Sequence, residues 1–261
     1  EKLTAYVQRV DAANAATLMQ LYDCYRPYEA DFSGYAALPA AAKDACRANV
    51  MQLHDAIASR RELYTSRSNA AELERYLRYA RTIVQSEQMN SHRTEPDGRD
   101  EAMAENVAWF ANVEHPGEKV VAWAHNGHVA ADADYLMGAQ LRRRYFPGRE
   151  LVIFGFAFDR GQFHAYDTAV RQRQIYSATA PNDGFEAFFR AAGRPLMFVD
   201  LREPASSAAR DLFERQPKSI WEIGILFDPA RPQDYRPSLV LAKNWDVIVW
   251  IESVTATKLR P

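Results

Sequence analysis

The residues with the clearest chemical potential lie in one stretch, Lys119-Val-Val-Ala-Trp-Ala-His125-Asn126-Gly127-His128-Val129. An imidazole holds or releases a proton near pH 7. Two of them in one turn offer acid/base or transition-state-stabilising groups. Two other readings stand beside that one. As metal ligands, His125 and His128 need further donors, and Asp132, Asp134 and Asp159 are the nearby carboxylates. Their spacing fits no standard zinc signature such as His-Glu-x-x-His. As structural residues, each ring brings polar nitrogens that a core must satisfy. Gly127 lets the chain turn and lets backbone approach a ligand closely.

The elements around this turn must position it. The apolar run 120–124 predicts a buried strand ending at His125, and ligand clefts in open α/β sheets form at the carboxyl ends of such strands. Asp132 or Asp134 is the expected N-cap of a following helix over 132–145. Further on, the pattern predicts a strand over 151–158, a hairpin turn at Asp159-Arg160-Gly161 and a returning strand over 162–166. His164 and Tyr166 then share a strand face, which fits a cleft wall and a solvated sheet face equally well. Short helices are expected at 183–192 and 206–215, and strands at 196–200 and 246–254. Helices alternating with apolar strands argue an α/β fold with a mixed, mostly parallel sheet flanked by helices.

Before residue 118 the chain reads as helical. Helices are expected over 2–24, 40–64, 69–89 and 99–113, with loops at 25–39 and 90–98. Met103, Val107 and Phe110 mark the apolar face of the fourth. No flexible linker separates the halves. The reading is one domain, 1–261, with a helical subdomain (1–117) walling a cleft over the α/β part (118–261). His54, His92 and His115 sit in helical, loop or turn contexts without a motif and read as surface residues. Arg142, Arg143 and Arg144 suit the C-terminal end of a helix dipole.

Composition sets outer limits. The 261 residues carry a net charge of −2 and are 48% hydrophobic, so there is no nucleic-acid footprint. No apolar run approaches the ~18 residues of a membrane span. Two cysteines are too few for a disulfide scaffold or a structural zinc site. If the first two helices are antiparallel neighbours, Cys24 and Cys46 can form a disulfide in an exported protein. The rival is a pair of reduced, buried thiols in a cytoplasmic one.

Several of these segments together resemble the erythromycin esterase-like family. They are Arg99-Asp100-x-Ala-Met103-Ala104-x-Asn106 with Trp109, then Trp123-Ala-His125-Asn126-Gly127-His128, Tyr135-x-Met137-Gly138-x-x-Leu141, Gly161-x-Phe163 and Asp246-Val-Ile-Val-Trp-Ile. The resemblance implies a bacterial enzyme, cytoplasmic or periplasmic, that hydrolyses a bulky ester or macrolide lactone with water. It implies no serine nucleophile, no cofactor and no firmly required metal. His125 and His128 would be catalytic; beside the resemblance, residue chemistry and position make Arg99, Asn126, His164 and Tyr166 the expected substrate contacts. Arg99 serves equally well as a first-turn partner for Asp100 or Glu101. Two departures stand out. The family's Gly-Glu-x-x-His-Gly motif, source of its water-activating histidine, is absent. Where an arginine usually precedes Ile223-Gly224, this chain has Trp221 and Glu222. The first departure implies that the chain corresponds to the C-terminal part of the fold, a poor esterase alone and prone to self-association.

Overall fold

The computed structural model describes residues 1–91, 97–148, 150–167 and 170–258. The chain forms two compact units, Glu1–Val121 and Ala122–Pro261.

The first unit is helical. Its core is built by Tyr6, Val7 and Val10 of helix Lys2–Val10, Val50, Leu53 and Ile57 of helix Ala40–Ser59, and Leu73 and Leu77 of helix Ala70–Ser91. Each fully buried aliphatic side chain contributes about 1.5–3 kcal/mol. Two helices expected to be continuous are broken. The first stops at Val10 and resumes as Ala12–Gln20, because Asp11 adopts φ −150°. The second breaks at Arg60, before helix Arg61–Arg67. The two breaks meet in one ion pair, Arg60 Nε to Asp11 Oδ2 at 3.4 Å. The buried Asp11 carboxylate also accepts hydrogen bonds from Tyr64 Oη (3.1 Å) and Asn14 Nδ2 (2.9 Å). A buried charge must be paired and hydrogen-bonded, and the backbone yields to that demand. The expected loop 25–39 contains two short turns of helix, Arg26–Tyr28 and Ser33–Ala36.

Helix Asp97–Trp109 buries Asp100, Ala104 and Ala108, not the expected apolar face: Met103 and Val107 are half-buried and Phe110 is exposed. Its contact with helix Ala70–Ser91 is a polar seam. Glu105 receives hydrogen bonds from Arg78, Arg81 and Gln85, and Asn106 from Arg78. Burial pushes the Glu105 carboxyl up, but these donors and cations outweigh it and hold it below the usual range. Cys24 and Cys46 form a disulfide, with Cα atoms 5.6 Å apart.

The second unit is built on a four-stranded sheet. Its strands are β1 (Phe154–Asp167), β2 (Gln172–Thr179), β3 (Leu196–Asp200) and β6 (Val247–Val254), in the order β2-β1-β6-β3. Between β3 and β6 in sequence, β4 (Lys218–Ser219) and β5 (Ser238–Leu239) form a small ribbon. The sheet is mixed. Its central β1–β6 pair is parallel and the flanking pairs are antiparallel, so parallel pairing does not predominate among the described strands. One face carries Ala157, Ile248 and Trp250 beneath Phe185 and Phe189 of helix Phe185–Ala191. On the other face Phe156, Val249 and Phe198 lie in register across three strands. Phe198 there is 67% exposed.

Three expectations fail in this unit. Asp159-Arg160-Gly161 is no hairpin turn, because β1 runs straight through it, and residues 162–166 are its continuation. Asp159 is buried against Arg190, and Gly161 (φ +137°) lets the Val254 carbonyl come so close that a Cβ would lie 2.0 Å from its oxygen. Residues that usually punctuate turns serve close packing here. The helix expected over 132–145 begins later, as Met137–Gln140 capped at Leu136, so neither Asp132 nor Asp134 is its N-cap. Residues 120–124 join no ladder, and Val121 and Trp123 are 88% and 80% exposed. The backbone of Phe156 on β1 is already engaged. Asn126 Nδ2 donates to its carbonyl (2.7 Å) and its N–H donates to Asn126 Oδ1 (3.0 Å). A side-chain amide takes the place of a strand.

Candidate functional site

The His-Asn-Gly-His turn is a single turn of helix, Asn126–Val129, and His125 caps it. His125 Nδ1 accepts the Gly127 N–H at 3.2 Å, as an N-cap oxygen would. The other ring nitrogen, Nε2, lies 3.1 Å from the Ile223 carbonyl. A carbonyl only accepts, so Nε2 carries the proton and Nδ1 is bare in the neutral ring. His125 is thus exposed yet fixed in orientation and tautomer. Asn126, through its two bonds to Phe156, ties the turn to the sheet.

The turn brings together His125, Asn126, Gly127 and the half-buried His128. It also faces Glu222, which the sequence marks only as a departure from the family's arginine and not as a site residue. A Cβ at Gly127 would lie 3.1 Å from Glu222 Oε1 and 3.4 Å from His125 Nδ1. Burial pushes the Glu222 carboxyl up, with the charge of Asp132 in the same direction; His125 acts oppositely. One signal was available: Glu222 is the lone charge in the apolar run Ile220-Trp-Glu-Ile-Gly-Ile-Leu226, and an ionisable group in such a run needs a reason to be there.

The remaining expected residues are distributed more widely. Tyr166 borders the same segment, since its N–H donates to Ile225 O (2.7 Å) and it bridges to Leu226. His164 Nε2 lies 2.9 Å from the Thr257 carbonyl, which ties the ring to the C-terminal tail. Arg99 is exposed on helix Asp97–Trp109 in the first unit. His54 and His115 pair with the acidic neighbours Asp55 and Glu118, and His92 lies outside the described residues. Of the carboxylates considered for a metal, Asp159 is paired with Arg190 and Arg160, and Asp134 with Arg143. A cavity of about 380 Å³ is lined by Trp221, Phe227, Pro232 and Arg236 and by none of the expected site residues.

A mixed sheet with helices on its packed face and a fixed histidine turn beside its central strand place the chain in the α/β class. Within that class it belongs to the erythromycin esterase family, whose model matches residues 1–254. A Bacillus subtilis (strain 168) protein named "Putative hydrolase YbfO" is 22% identical over 167 residues, which is 60% of this chain and 35% of that protein. Among solved structures, a Bacillus cereus protein matches with a TM-score of 0.86 at 19% identity, covering 99% of this chain and 64% of its own. A protein described as a succinoglycan biosynthesis protein matches at 0.80 and 16%, covering 97% and 61%. A variant of the erythromycin esterase EreC in its open conformation matches at 0.66 and 13%, covering 96% and 64%. The chain therefore spans about a third of its curated relative and under two thirds of these structures.

Proposed function

We propose that this chain carries part of the site of a hydrolase that cleaves a bulky ester or macrolactone by histidine-assisted attack of water. One observation carries the proposal: an exposed imidazole whose orientation and tautomer are fixed by Gly127 and Ile223. Such a ring loses little freedom when it takes part in a transition state. Family membership and the relative named as a hydrolase support the reaction class. The family's description, erythromycin esterase, supports an ester or lactone substrate of the macrolide kind; a role in antibiotic resistance is part of the proposal.

In this reading water attacks the acyl carbon while His125 and His128 manage its proton and the developing oxyanion. Asn126 positions the turn, and Tyr166 contacts the substrate. His164, held by the tail, serves as wall and not as proton carrier. The Cys24–Cys46 disulfide favours an oxidising compartment, and we place the protein outside the cytoplasm. Among the described residues no helix is long and apolar enough to cross a membrane. The test is a panel of esters and macrolactones offered to the complete gene product that carries this chain. Hydrolysis abolished by His125→Ala supports the proposal. Ligand binding without turnover would make the protein a small-molecule binder instead.

A further inference from the structure

Glycines flank the His125 ring on two sides. A Cβ at Gly224 would lie 3.8 Å from Nε2, and one at Gly127 would lie 3.4 Å from Nδ1 and 3.1 Å from Glu222 Oε1. A methyl group at position 127 would touch both the imidazole and the carboxyl tip. Gly127 lies within a turn of helix and its φ is not in the left-handed region, so the backbone there does not itself demand glycine. Its missing side chain leaves both the imidazole and the carboxyl tip free of a contact there.

The two facing groups are chemically matched. His125 Nε2 is committed to the Ile223 carbonyl, so any proton the ring gains must enter at Nδ1 and displace the Gly127 N–H that Nδ1 accepts in the resting ring, at the point where Glu222 Oε1 also approaches Gly127. Among the described residues, the charged groups acting on Glu222 are His125 and Asp132. No hydrogen bond fixes the Glu222 carboxyl to another protein group among those residues, although the group is largely out of water. We propose that Glu222 is the proton-exchange partner of His125, a positioning residue that stabilises the imidazolium formed during hydrolysis. The role in hydrolysis rests on the function proposed above; the pairing itself does not.

The step balances without another reagent. Water oxygen bonds to the acyl carbon as one water proton passes to the His125–Glu222 pair. The bond from the acyl carbon to the alcohol oxygen breaks, and the pair returns that proton to the departing oxygen. Within the pair, a proton on the carboxyl with a neutral ring interconverts with carboxylate facing imidazolium. Burial opposes the isolated carboxylate and the nearby ring favours it.

The pairing is tested by following the Glu222 carboxyl by carbon-13 NMR in the full chain labelled at glutamate, with the resonance assigned by its loss in Glu222→Gln. His125→Ala should move the Glu222 titration midpoint to higher pH, because the opposing influence of the ring is gone. Gly127→Ala keeps both titrating groups and displaces the Glu222 tip, so it should also move the midpoint. Unchanged midpoints in both variants would overturn the pairing, whatever the enzyme's activity. In the complete gene product, Glu222→Gln should lower kcat by about ten-fold or more with KM little changed, and should alter the pH profile of kcat. A pH profile identical to wild type would overturn its role in hydrolysis while leaving the NMR result to stand.

Discussion

Reducing the Cys24–Cys46 disulfide should destabilise the helical unit by an amount set by loop closure. The two cysteines are 22 positions apart in sequence, and the bond joins the turn after helix Ala12–Gln20 to helix Ala40–Ser59. Closing a loop of that length removes about 3 kcal/mol of entropy from the unfolded chain. The Cα separation of 5.6 Å lies within the ordinary range for the bond, so no geometric penalty is set against that gain. Cys46 is 2% exposed, so the double variant Cys24→Ala/Cys46→Ala also loses buried sulfur contacts. For a chain this long, 3 kcal/mol corresponds to a fall in Tm of roughly 6–12 °C, and to more if the helical unit melts by itself. Circular dichroism melts of the protein with and without a thiol-free reductant measure it, with the double variant as a control insensitive to reductant. A melt that shifts by less than about 2 °C on complete reduction would show that the unfolded chain is not constrained as the loop argument requires.

Three further outcomes are expected. Glu222 has a raised carboxyl, so its ionisation costs stability: its contribution is fully present at acid pH and is lost as pH rises through its folded pKa. Glu222→Gln should therefore raise Tm relative to wild type near pH 8 and change it little near pH 4; the reverse order in melts would show the carboxyl is stabilised by its surroundings. Phe185→Ala removes a fully buried ring beneath the sheet and should cost about 3–5 kcal/mol in urea unfolding; a cost under about 1 kcal/mol would mean the second core is not packed there. Phe198 projects from β3, the edge strand of the sheet among the described residues, and an edge strand offers a pairing surface. The chain should self-associate with rising concentration in sedimentation, and Phe198→Lys should suppress this; equal association by both proteins would exonerate that face.

Regular amphipathic elements were legible in the sequence. The closing strand read over 246–254 is β6, the strand read over 196–200 is β3, and the helices read over 183–192 and 206–215 are Phe185–Ala191 and Ser207–Glu214. Each owes its form to apolar spacing and local caps, such as Ser206 accepting the Ala209 N–H. What stayed hidden depends on partners distant in sequence. Asp11 breaks a helix because Arg60 and Tyr64 meet it, more than forty positions away. Asp159-Arg160-Gly161 imitates a turn because Arg190 and the Val254 carbonyl, which make it a strand, lie far along the chain. The strand β2 was not anticipated, since Gln172 to Thr179 alternates weakly between polar and apolar positions. At the site, the histidine turn was visible from its composition. Glu222 was not, because its relation to His125 arises from tertiary placement across Gly127.

The most direct test of the central claim is kcat/KM for ester or lactone hydrolysis by the complete gene product, compared with His125→Ala and His128→Ala in proteins whose melting is unchanged. Loss of a proton-transfer group typically costs ~10²–10⁴-fold, and a fall of that size is predicted for His125→Ala. Wild-type turnover in both variants would contradict it and make the turn a structural feature of the fold.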